Sequence, residues 1–289
     1  MKTKLLLISV MLLQGFAAFC QQGRIPVDKK VKIGKLANGL TYYIRQNAKP
    51  AERAELRLVV NAGSVLERED QRGVAHFLEH MAFNGTKNFP KNELLNYLQK
   101  TGVRFGADLN ATTSFDFTLY MLPIPTSDAG ILQNGYQVLR DWAGSLLLEQ
   151  DEIDKERGII LEEKRMRQNA GMRMFSAYVP DMLNNSKYSQ RLPIGSEEII
   201  KTAPRRAFTD FYKDWYRPNN MAVIAVGDID PAKTEATIKK LFGDLKNPPQ
   251  APVRPALTPI KWHASNKAKI VSDPENTSTM LNIYLGMEK

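Results

Sequence analysis

Residues 73–85, Gly-Val-Ala-His-Phe-Leu-Glu-His-Met-Ala-Phe-Asn-Gly, make the strictest demand on the fold of any stretch in the chain. They hold His76, Glu79 and His80, and so two of the three histidines in the sequence. Positions i, i+3 and i+4 project from one face of an α-helix. The stretch therefore predicts a helix that aims two imidazoles and a carboxylate at one point. Neutral imidazole nitrogens suit zinc, and a carboxylate beside them can take a proton from water activated by the ion. The order His-x-x-Glu-His is the inverse of the commoner His-Glu-x-x-His.

Two histidines do not complete such a centre, because catalytic zinc sites usually use three protein ligands and leave one position open. The third histidine, His263, follows a proline-rich stretch and is a poor candidate. The single cysteine, Cys20, sits at the end of a leader. Lys2 and Lys4 precede a short apolar run over residues 5–19, which reads as a secretory signal peptide over residues 1–20. The run is too short to span a membrane comfortably, and no other apolar run is long enough. Cleavage after Cys20, between small flanking residues, is expected to leave Gln21 first. A lipoprotein acylated at Cys20 is the alternative, with Phe19 a poor fit before it. The mature, exported chain, periplasmic or extracellular, then has no thiolate to offer.

A carboxylate is the remaining choice. The acidic segment 151–168 predicts a helix on which Glu156 and Glu163, seven apart, share a face. Ile159 and Ile160 lie on or beside that face, which is expected to be buried. A carboxylate there requires a partner, either a metal or, for Glu156, an arginine. Glu162 lies about 100° round the helix from Glu163 and points elsewhere. Glu156 and Glu163 both stay open as ligands on this reading.

The other segments are ordered by their periodicity. Strand-like runs flank Asn38-Gly39, a two-residue turn signal, so residues 31–45 predict a hairpin. Further strands are expected over residues 54–61, 105–114 and 115–123, where Gly106 and Ala107 permit close backbone approach. Residues 90–100 predict an amphipathic helix capped by Gly102, and residues 131–148 a longer one. Residues 169–190 show little periodicity. Helical runs follow from Gly195 and over residues 203–215. Residues 220–227 are continuously apolar and read as a buried strand. Asp230-Pro231 opens a last helix that ends near Gly243. Five prolines between Asn247 and Pro259 mark a linker, placed at residues 246–262. Residues 263–289, with strand-like runs at 270–272 and 280–286, read as the start of a second domain cut short.

The formal net charge is +9, but lysine and arginine are interleaved with acidic residues, which argues for a solvated surface and no nucleic-acid partner. There is no Gly-x-Gly-x-x-Gly, Walker or Gly-x-Ser-x-Gly motif, which disfavours a nucleotide enzyme and a serine hydrolase.

His76-Phe-Leu-Glu79-His80, then Gly106-Ala-Asp-Leu-Asn-Ala, then Glu156-Arg-Gly-Ile-Ile-Leu-Glu-Glu163, taken in that order, resemble the pitrilysin/insulinase-like zinc metallopeptidases. These inverzincins are related to the mitochondrial processing peptidases. The resemblance covers residues 30–245, the expected catalytic domain. It implies one zinc held by His76, His80 and Glu163, with Glu79 as general base and Glu156 supporting the site. It also implies a substrate-binding edge strand around Asn110 and Ala111, open to an extended peptide by β-augmentation. The implied fold is α+β, an antiparallel-rich sheet packed with helices, forming one half of a clamshell. The other half would carry an arginine and a tyrosine that help bind substrate, so a C-terminal half or partner subunit is expected to close the chamber. The implied activity is zinc-dependent endopeptidase cleavage of extended peptides or small unfolded proteins. The alternative is a non-catalytic peptide-binding or scaffold subunit with the same fold.

Overall fold

The computed structural model describes residues 26–91, 93–100, 110–250, 252–255, 260–261 and 263–285. The expected signal peptide, Cys20, Gly102, Gly106 and Ala107 lie outside the described residues. The chain divides into two units, residues 1–31 and residues 32–289. In the first, residues 28–31 form a turn in which the Val31 N–H donates to the Asp28 carbonyl at 2.9 Å.

The second unit is built on a six-stranded sheet. Its strands are β1 (Lys32–Lys35), β2 (Thr41–Gln46), β3 (Arg53–Val60), β4 (Asn110–Thr113), β5 (Thr118–Pro125) and β6 (Met221–Gly227), in the spatial order β1-β2-β6-β3-β5-β4. Only the β2–β6 pair is parallel. The helices are α1 (Val74–Met81), α2 (Glu93–Lys100), α3 (Ala129–Gly144), α4 (Gln150–Arg167), α5 (Ala170–Met182), α6 (Glu197–Thr202), α7 (Arg205–Trp215) and α8 (Pro231–Phe242). The fold is the expected α+β arrangement of an antiparallel-rich sheet packed with helices.

Period-two alternation decides which face of the sheet is covered. Leu56 and Leu58 of β3, Tyr120, Leu122 and Ile124 of β5, and Val223 and Ala225 of β6 are fully buried. The residues between them are only half-buried. Burying each leucine-sized side chain contributes roughly 1.5–3 kcal/mol. Helices α3 and α8 lie on the covered face. Gly135 lets α3 approach closely, since a Cβ there would lie 2.7 Å from the Ile124 side chain. The apolar run at residues 220–227 is thus an interior strand of the sheet, but not one buried on both faces. Ala222, Ile224 and Val226 face the half-open side because the helices pack on one side only.

Other differences have local causes. The first hairpin closes through a three-residue loop, with the Leu36 N–H donating to the Leu40 carbonyl at 2.8 Å and Gly39 at φ +94°. The helix expected over residues 131–148 stops at Gly144, where Ser145 caps it and Leu146 turns to bridge Thr86. Residues 170–182, expected to be irregular, form α5. The Asn169 side chain accepts from the Met172 N–H at its start, and Pro180 sits near its end, where little helix remains to disrupt. The strands expected at 270–272 and 280–286 do not form among the described residues. A strand requires a neighbour for its backbone groups, and Ile270, Leu281 and Leu285 instead stand at least 84% exposed. Polar contacts hold part of this segment on α5: Arg173 pairs with Asp273 at 2.6 Å and Lys269 with Asp181 at 2.8 Å.

Candidate metal centre

α1 is only eight residues long, and every residue in it except His80 is buried. Its propensity alone would not hold so short a helix. Packing and capping from elsewhere in the chain do. The Glu67 side chain lies under its N-terminus and accepts from the Gly73 N–H at 3.0 Å and the Ala75 N–H at 2.8 Å. Burial pushes the Glu67 carboxyl up to about 8, against those two donors and the Arg191 charge. Gly73 takes φ +108° at the N-cap, and the Gly195 backbone packs directly on it. Beyond the C-terminus, the Trp142 indole N–H donates to the Ala82 carbonyl at 2.9 Å. α4 then lies beside α1 and presents Glu156 and Glu163 to it.

The five residues expected to carry chemistry meet here. His80 Nε2 lies 3.3 Å and His76 Nε2 3.6 Å from Glu163 Oε2. One ligand atom from each of these three residues falls within 4.8 Å of the others. The donor set fits a metal ion. Two ligands about 2.05 Å from a tetrahedral ion are separated by roughly 3.3 Å. Among the described residues, Glu163 Oε2 is buried without a hydrogen-bond partner, which is costly unless something positive lies before it.

Glu156 is buried behind this point. His80 Nδ1 lies 2.8 Å from its Oε1, and Asn84 Nδ2 donates to its Oε2 at 2.5 Å. A carboxylate can only accept, so Nδ1 carries a proton, and it is the Nε2 proton, on the side of Glu163, whose loss would free a lone pair for an ion. Arg167 pairs with Glu163 Oε1 and leaves Oε2 for the histidines. Glu162 points outward to Arg165 at 2.6 Å, as expected. Ile160 is buried, but Ile159, expected near the covered face, is 56% exposed, because the buried stripe of the helix runs through Ile153, Glu156 and Ile160 and leaves Ile159 to one side. His263 lies elsewhere, its Nε2 2.6 Å from the Asp181 carbonyl.

The electrostatics follow from burial and pairing. Burial acts to lower the His80 pKa, but the hydrogen bond to Glu156 and the Glu163 carboxylate beside Nε2 outweigh it and lift it to about 9. His76 is held well below the usual range by burial and by the neighbouring His80. His80 in turn holds the Glu163 carboxyl low, against burial. Burial raises Glu79, while a hydrogen bond from the Thr113 hydroxyl, at 2.5 Å to Oε2, opposes the rise.

β4 forms one end of the sheet. Asn110 is exposed at its start, and its Oδ1 accepts from the Ala111 N–H at 2.8 Å. Sequence reasoning missed Asn84, Thr113 and Arg167. Arg167 could have been found at i+4 from Glu163 on a helix. Asn84 and Thr113 reach their partners only through tertiary packing.

The chain is similar to proteins of known family. A model described as insulinase (peptidase family M16) matches residues 42–195, and one described as the peptidase M16 inactive domain matches residues 203–287. The chain is 41% identical over 216 residues to the probable zinc protease PqqL of Haemophilus influenzae, covering 75% of this chain and 23% of that protein. It is 37% identical over 260 residues to the probable zinc protease PqqL of Escherichia coli, covering 90% of this chain and 28% of that protein. The crystal structure of the first half of the periplasmic protease PqqL from Escherichia coli superposes with a TM-score of 0.77 at 39% identity, covering 83% of this chain and 51% of that one. The chain thus spans about a quarter of the length of these curated relatives. With the His-x-x-Glu-His helix, the paired glutamates of α4 and more than half the chain matched, this chain belongs to the insulinase family of peptidases, M16.

Proposed function

We propose that this chain contributes the catalytic centre of an exported zinc metalloendopeptidase that cleaves extended peptides or small unfolded proteins. The observation that carries the reading is the convergence of His76, His80 and Glu163 around one point, with Glu79 beside it on the same helix. The names of the relatives, zinc proteases, agree with it, and export agrees with the periplasmic location of the Escherichia coli protease PqqL.

In this reading His76, His80 and Glu163 would hold the ion. Zinc, when bound, lowers the pKa of water from about 15.7 toward about 7 and polarises a carbonyl oxygen. Glu79 takes the proton from the attacking water and passes it to the leaving amine. Glu156 keeps His80 in the tautomer that offers Nε2, and Arg167 keeps Glu163 turned inward. The edge of β4, with Asn110 and Ala111, receives the peptide as an added strand. A C-terminal half or partner subunit closes the chamber over it. A scaffold that merely binds peptides would have no use for Glu79 in this position.

The test uses the full native polypeptide. Zinc stoichiometry and hydrolysis of an unstructured peptide library are measured for wild type and Glu79→Gln. One zinc per chain in both, with cleavage only by wild type, is expected. Full zinc with no cleavage by wild type refutes the peptidase reading in favour of the scaffold.

A further inference from the structure

We propose that Thr113 is a positioning residue, one that ties the docking of a peptide on β4 to the orientation of Glu79. The inference rests on the peptidase reading above and deepens it.

The ladder decides where the backbone of Thr113 points. The Ser114 N–H donates to the Phe117 carbonyl at 2.8 Å and closes the β4–β5 hairpin. Hydrogen-bonded and non-hydrogen-bonded pairs alternate along an antiparallel ladder. Thr113 faces Thr118 and Ala111 faces Tyr120 across it, so both are non-hydrogen-bonded pairs. Their backbone groups therefore point to the outer edge of the sheet, where no strand pairs among the described residues. The Ala111 N–H is turned onto Asn110 Oδ1. Thr113 is thus the β4 position whose N–H and carbonyl both stay available to an added strand among the described residues.

The side chain of the same residue points the other way. β4 alternates exposed and half-buried positions, with Ala111 and Thr113 on the covered face. From there Thr113 Oγ1 donates to Glu79 Oε2 at 2.5 Å. A hydroxyl–carboxylate bond of this length is charge-assisted and among the stronger hydrogen bonds in proteins. Threonine is branched at Cβ and stiff about χ1, so its Oγ1 follows its backbone. A peptide that pairs with the Thr113 backbone and orders β4 thereby orders the hydroxyl as well. Holding Oε2 leaves Oε1 to receive a proton, so the base is presented in one orientation when substrate is on the edge.

The test uses the full native polypeptide loaded with zinc and a fluorogenic peptide chosen from the library for cleavage by wild type. Thr113→Val keeps the shape and the strand propensity but removes the donor. We expect kcat to fall about 10- to 100-fold with KM and zinc content within about twofold. Thr113→Ser returns the hydroxyl and is expected to restore kcat to within about threefold. A second readout is independent of turnover: peptide affinity of Glu79→Gln, with and without Thr113→Val, is expected to agree within about twofold. An unchanged kcat in Thr113→Val overturns the inference. So does joint loss of kcat and zinc that serine fails to rescue, which would make Thr113 a structural tie only. A tenfold loss of affinity in the Glu79→Gln background also overturns it, because the hydroxyl would then be holding the peptide. Absence of cleavage by zinc-loaded wild type is a different result and removes the peptidase reading itself.

Discussion

Glu156→Gln should weaken zinc binding without unfolding the protein, and the reason is a shortage of acceptors. The Glu156 carboxylate is 8% exposed and serves two donors at once, His80 Nδ1–H at 2.8 Å and Asn84 Nδ2 at 2.5 Å. Glutamine has the same shape but one acceptor oxygen. If that oxygen faces His80, the amide NH₂ meets the Asn84 NH₂. If it faces Asn84, the NH₂ donates to His80 Nδ1 and moves the imidazole proton to Nε2, the nitrogen turned toward Glu163. Either choice loses a hydrogen bond to a charged group, about 1.5–3 kcal/mol. Partners behind a metal ligand typically account for 10- to 100-fold in affinity, or about 1.4–2.7 kcal/mol. The two routes agree, so the zinc dissociation constant should rise about 10- to 100-fold. Competition with a chromophoric chelator at pH 8 measures it, with circular dichroism checking the fold. An affinity within twofold of wild type would refute the claim that Glu156 acts through His80.

Two pH dependences follow from the same geometry. His80, at about 9 without an ion, must lose its proton before it can bind one. Zinc affinity should therefore fall by up to about tenfold per pH unit below pH 9, and chelator competition from pH 6 to pH 10 reads the slope; a flat profile contradicts a ligand role for His80. Glu67 titrates near 8 when folded, against 4.5 for an unburied glutamate. A raised carboxyl pKa gives stability that is complete below about 4.5 and is lost as pH rises through 8. The span is up to roughly 5 kcal/mol, and Glu67→Gln should flatten it. Urea unfolding of both proteins at pH 5 and pH 8 tests this, and parallel pH trends in the two would contradict it.

Much of the fold could be read locally. The hairpin at residues 31–45, the strand at 54–61 and the helix with Glu156 and Glu163 announce themselves through periodicity and turn residues, because their patterns repeat over one or two turns or pleats. α5 escaped because Gly171 and Pro180 interrupt its pattern, and only Asn169 marks its start. The run at residues 220–227 looks buried on both faces in sequence. Whether helices cover one face or two depends on the whole layer arrangement.

The sequence by itself determined that His76, Glu79 and His80 share a helix face, that Glu156 and Glu163 share another, and that Glu162 does not join them. Helical geometry suffices for each statement, since all the atoms belong to one short element. Tertiary structure decided what no local pattern contains. The crossing of α1 and α4 puts Glu163 Oε2 before both imidazoles and Glu156 behind His80 Nδ1. The position of β4 brings the Thr113 hydroxyl to Glu79. Which of two equivalent carboxylates faces both imidazoles and which sits behind one of them is a matter of angstroms between separate elements. Those distances come from packing α4 against α1, a buried helix too short to stand alone.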